Sequence, residues 1–130
     1  MKDLEAFAMA LPGTTREVTD DDRPSYRVAG KLYCCHRTPR RDAVDASDGT
    51  MLDDVLMFRV ADLDTKDALL ADAGSRFFTT PHFDGYPAVL LMIRDLRKMP
   101  KDELFEIVAD AWLTKAPKRV AAVWLKEHGA

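Results

Sequence analysis

The sequence has little of what a redox, membrane-spanning or nucleic-acid-coating protein needs. Its 130 residues include only two cysteines, Cys34 and Cys35. Adjacent residues on a strand point to opposite faces, and neither thiol has a partner elsewhere in the chain, so reduced strand residues are expected rather than a structural disulfide. No apolar run approaches the roughly 20 residues needed to cross a bilayer. The opening MKDLEAFAMALPG carries acidic residues and no signal-peptide core, so the cytoplasm is the expected compartment, with no membrane partner. Positive charge is not in excess: 19 Lys and Arg face 22 Asp and Glu, the formal charge is -3 and the pI is near 5.6. That balance argues against a protein that coats nucleic acid by charge alone, because displacing counterions from phosphates requires a basic surface. No glycine-rich phosphate loop is present, which removes the usual mark of a nucleotide fold.

What is there is an ordinary globular composition, 47% hydrophobic and 32% charged. A chain of this length can bury a core without metals or disulfides, so one domain over residues 1–130 is expected.

The periodicities place the elements. Leu4, Phe7, Ala8 and Leu11 recur at helical spacing, predicting a short helix over residues 2–11 that ends at Pro12-Gly13. Over residues 25–36 the period becomes two, with Tyr26 and Val28 followed by Leu32 and Cys34 across an Ala29-Gly30 turn, which predicts a hairpin. The nearly continuous apolar run at residues 55–60, VLMFRV, suits a central strand buried on both faces. A long polar connection over residues 37–54 precedes it and is either a functional loop or a longer hairpin.

Residues 64–73 read as a helix with Leu69, Leu70 and Ala73 inward and Gly74 as its cap. Residues 77–80 and 88–93 read as strands. After Pro100, the stripe Leu104, Ile107, Val108, Ala111 and Trp112 predicts a helix, and Pro117 starts another carrying Val120, Val123 and Trp124 and ending at Gly129. Both tryptophans fall on apolar stripes, which suits core packing better than base stacking. This order indicates an α+β domain, a mainly antiparallel sheet packed against helices on one side.

Four segments, read in order, resemble the MmcQ/YjbR family. They are Leu11-Pro12-Gly13 with Thr14 and Glu17; Arg23-Pro24-Ser25-Tyr26-Arg27-Val28 leading to Gly30-Lys31; Phe78 followed by Thr80-Pro81-His82-Phe83-Asp84-Gly85-Tyr86-Pro87-Ala88-Val89; and Asp110-Ala111-Trp112 with Ala116-Pro117-Lys118-Arg119. The resemblance implies a compact α+β fold related to that of the frataxin homologue CyaY. Family members commonly carry a DNA-binding label. The resemblance supplies no catalytic residues, and the connection over residues 37–54 is longer than the family pattern implies.

Candidate sites follow from chemistry-bearing residues at structured positions. In TTPHFDGYPAV, residues 79–89, the prolines and glycine shape a rigid connection that can display His82, Asp84 and Tyr86. The plainer reading is a turn at Asp84-Gly85 with Tyr86 packed on the sheet. Arg23, Arg27 and Lys31 join these as candidates for a small anionic ligand or a protein partner. No acid, base and nucleophile stand at recognisable spacing, so catalysis ranks last and no cofactor is expected. The relation to frataxin-type proteins raises iron, but Asp20 to Asp22 read as a solvated loop, and His36 and His82 lack a ligand set, so no metal site is expected.

Three basic groups are candidates for DNA: Arg37, Arg40 and Arg41; Arg94, Arg97, Lys98 and Lys101; and Lys115, Lys118 and Arg119. Each also reads as a solvated face, and none contains a base-reading motif. If two groups converge on one face, phosphate contact becomes reasonable despite the net charge, giving modest, sequence-tolerant binding.

Overall fold

The computed structural model describes residues 2–18, 23–37, 55–71, 77–79, 85–96 and 98–128. Helix α1, Lys2–Ala10, leads into strands β1, Thr14–Val18, β2, Pro24–Val28, β3, Lys31–Arg37, and β4, Val55–Arg59. Helix α2, Leu63–Ala71, strand β5, Ala88–Met92, the single turn α3, Ile93–Leu96, and helices α4, Lys101–Lys115, and α5, Lys118–His128, complete the order. The five strands lie in chain order as an antiparallel sheet. The fold is α+β, as its element pattern predicts.

Alternation along the strands divides the interior in two. Leu56, Phe58, Val89 and Leu91 face a large core completed by α1 and α4, while Val55, Met57, Ala88, Leu90 and Met92 form a second buried cluster. A strand buried on both faces needs apolar residues at every position, which is why residues 55–58 are uninterrupted. Cys34 joins the large core and Cys35 packs against the second cluster, and neither is in a disulfide.

Leu32 and Cys34 do not share a face as simple alternation predicts. The β2–β3 register shifts between Tyr26 and Arg27, and a bulge of this kind adds a residue to one strand. Tyr33 and Cys34 consequently both enter the large core, while Leu32 packs against the second cluster.

Helix α4 carries its predicted stripe inward: Leu104, Ile107, Val108, Ala111 and Trp112 are all buried. The Trp112 indole N–H donates to the Pro12 carbonyl at 3.0 Å, tying α4 to the turn after α1. Phe7 meets Phe105 edge-on at 5.5 Å, and Trp124 lies 5.5 Å from Trp112, so α5 folds back onto α4 through aromatic contacts. Both tryptophans are core residues. Val123 is not: it is 55% exposed, because only Trp124 and, in part, Val120 of α5 reach the core.

Other boundaries differ from the sequence reading for local reasons. Strand β1 was not legible, since TTREV is almost wholly exposed and carries no hydrophobic alternation; its pairing with β2 holds it. Residues 77–79 form no strand but a single bridge, with Phe78 bonding Leu90 through both backbone groups at 2.9 Å. Ile93 begins a helical turn rather than ending β5. Helix α2 starts at Leu63, where the Asp62 carboxylate accepts the Thr65 N–H at 2.8 Å as an N-cap. Leu69 packs against the large core and Leu70 is half-buried, while Lys66 is the buried residue of α2. The expectations for residues 38–54, Ala73-Gly74, Thr80 and Gly129 lie outside the described residues.

Candidate functional site

An antiparallel sheet in chain order brings alternate strand ends together. The register of β3 with β4 sets Lys31, which opens β3, at the same end of the sheet as Arg59, which closes β4. Arg59 is opposite Ala88 of β5, so Tyr86, two residues earlier, lies at this end as well. Lys115, the last residue of α4, completes the group. Its ammonium is shifted below the usual lysine range, first by burial and then by the like charges of Arg59 and Lys31. These cations thus reach the same neighbourhood from three separate elements; Lys115 comes from one of the three basic groups named for DNA, and Lys31 from the residues named for a small anionic ligand or protein partner.

Tyr86 is held by its backbone and stacked by its ring. Gly85 adopts φ 79°, a left-handed conformation that favours glycine. The Tyr86 carbonyl accepts both the Ala88 N–H at 2.8 Å and the buried Lys66 ammonium at 2.9 Å, while Pro87 O accepts the Val60 N–H at 3.0 Å. The Arg59 guanidinium carbon sits 4.3 Å from the centroid of the Tyr86 ring. Its Nε is buried with no hydrogen-bond partner among the described residues. A guanidinium so placed retains donor capacity, and two ammonium groups share its neighbourhood. The arrangement suits an anion carrying several oxygen acceptors, such as a phosphate group.

The other sequence-named residues divide by position. Arg27 lies at the Lys31 end, but Glu17 pairs with it at 3.5 Å and offsets its charge. Arg23 precedes β2 at the opposite end and donates from Nη1 to His36 Nε2 at 3.0 Å. Arg94 lies in α3, and Lys98, just beyond it, stands 3.9 Å from Asp95; both are at that opposite end. Lys118 and Arg119 are exposed at the start of α5, just past Lys115. His82, Asp84 and Arg97, with Arg40, Arg41 and Asp20 to Asp22, lie outside the described residues.

Sequence reasoning passed over Arg59 and Lys66. The available signals were a lone arginine ending an apolar central strand and a lysine within a helix of alternating character. Neither stands out until the register places it. Among the described residues, no group of three or more His, Cys, Asp or Glu is placed to hold a metal ion, and no helix is long and apolar enough to cross a membrane.

The five-stranded meander, its α1–α4 cover and this basic end define a small α+β domain whose candidate site is suited to anions. A family model described as YjbR matches residues 9–114, so the chain belongs to the YjbR family. Relatives include the uncharacterized protein Rv2570 of Mycobacterium tuberculosis strain H37Rv and the uncharacterized protein Mb2600 of Mycobacterium bovis. Each is 35% identical over 131 residues, covering 98% of this chain and 96% of the relative.

Proposed function

We propose that the protein binds phosphate-bearing polyanions, DNA in particular, weakly and without reading base sequence. The observation that supports this is the convergence of Lys31, Arg59 and Lys115, with Lys115 titrating in the field of the other two. Cations of this kind neutralise phosphates and release counterions, while base reading needs side chains aimed into a groove. The net charge of -3 keeps the rest of the molecule from adding to affinity.

Three phosphate contacts correspond to a salt slope near -2.7, or a loss of about 40-fold in affinity between roughly 50 and 200 mM salt. Fluorescence anisotropy with labelled duplex DNA, and polyglutamate as an anionic control, tests this directly. DNA binding stronger than the control and weakened by salt to this extent supports the proposal. Absence of a complex at low salt, or equal binding of polyglutamate, overturns it.

The Arg59–Tyr86 stack favours a second reading, a small phosphorylated ligand held at the same end. Thermal-shift titration with inorganic phosphate and a nucleoside monophosphate separates the two: stabilisation by the monophosphate without DNA binding selects the small ligand.

A further inference from the structure

A second site of opposite charge lies between α2 and α4. A cavity of about 520 Å³ opens there, within the range of roughly 300 to 1,000 Å³ typical of small-molecule sites. Its floor is apolar: Val60 and Ile107 are buried, and Leu69, Phe77 and Leu113 are partly buried against the large core. Its rim is acidic. Glu103, Glu106 and Asp110 line the opening from α4, at spacings that keep them on one helix face above Ile107.

Among the described residues no basic side chain pairs with these three carboxylates. Nor are they grouped tightly enough to hold a metal ion. Like-charge crowding is nevertheless felt, since the Asp110 carboxyl is pushed above its usual range, first by desolvation and then by Glu106. A bound positive charge would relieve that repulsion, and an apolar body would cover the floor.

We propose that this cavity binds a compact organic cation, an ammonium group carried on an aromatic or branched apolar body. The apolar floor takes the body, and Glu106 and Asp110 take the ammonium, with Glu103 extending the negative field at the mouth. A bare metal ion leaves the floor empty. An anionic compound of the same shape is repelled by the rim; Val60 and Thr114 of the lining are the chain neighbours of Arg59 and Lys115, so the cavity borders the basic end, and the sign of the probe tells the two apart.

A matched series of probes decides the matter: tryptamine as the cation, tryptophol as its neutral counterpart and indole-3-acetate as the anion. Amide chemical shifts of the labelled protein report both affinity and location. Tryptamine is expected to perturb residues around Thr65, Leu69 and 103–114, with tryptophol about tenfold weaker, as loss of a charge-assisted contact implies, and indole-3-acetate weaker still. The double variant Glu106→Gln and Asp110→Asn, on exposed positions, should erase the preference of tryptamine over tryptophol. Thr65→Trp, also at an exposed position, should block all three, with circular dichroism confirming an intact fold. Equal binding of the three probes, shifts mapping elsewhere, unchanged preference in the double variant, or no binding of tryptamine at millimolar concentration each overturns the proposal.

Discussion

Arg59 stacks on Tyr86 with 4.3 Å between the guanidinium carbon and the ring centroid, linking the end of β4 to the approach to β5. The stack orients a cation whose Nε has no hydrogen-bond partner among the described residues. Arg59→Ala and Lys115→Ala should each reduce the salt slope of DNA binding by about 1, the mark of one lost phosphate contact. Tyr86→Phe, which keeps the ring face, should leave the slope unchanged. Anisotropy titrations across salt concentrations provide the check.

Lys66 holds Tyr86 in place from α2. Its side chain is buried and its ammonium donates to the Tyr86 carbonyl at 2.9 Å. Lys66→Ala should lower unfolding free energy by about 2 to 3 kcal/mol, through a lost charge-assisted hydrogen bond and lost packing of the alkyl stem. Lys66→Met retains the stem and should recover part of this. Urea unfolding reads the difference as a lower midpoint at unchanged slope.

The β2–β3 turn carries a local conflict. Ala29 adopts φ 51° and Gly30 φ 77°, the two positive values a type I′ turn demands, yet alanine resists the left-handed region. Ala29→Asn should raise stability by about 1 kcal/mol, because asparagine tolerates this conformation and precedes glycine in the preferred pairing. A rise in thermal midpoint with an unchanged fold is the expected result.

Tyr33 makes stability sensitive to alkali. Burial pushes its phenol up to about 12, and the hydrogen bond with Thr14 Oγ1 at 3.0 Å only partly counters this. The folded state therefore holds the proton more tightly than the unfolded chain, whose phenol titrates near 10. The stabilising contribution is full below pH 10 and falls as pH rises toward 12. A shift of this size amounts to about 2 to 3 kcal/mol. Tyr33→Phe should flatten the loss between these pH values, as measured by urea midpoints across the range.

Residues that act through near neighbours were the ones whose structure could be read along the chain. The α4 stripe from Leu104 to Trp112, the apolar β4 and the Ala29-Gly30 hairpin were legible because helix period, strand burial and turn chemistry operate within a few residues. Pairwise periodicity also separated Cys34 from Cys35. It failed at Leu32, where the bulge against β2 reverses the alternation, and at TTREV, whose strand is held by backbone pairing rather than by a buried face.

By its residues alone, then, the chain determined its α+β class, most of its elements, its core tryptophans and its resemblance to the YjbR family. Only the tertiary structure decided which charges act together. Lys31, Arg59 and Lys115 lie far apart in the chain, and the register that gathers them depends on a whole sheet of backbone hydrogen bonds. The same holds for the acidic cavity, whose floor needs α2 and α4 laid over one end of the core. Local patterns encode how each segment folds; the meeting of distant side chains depends on how those segments pack.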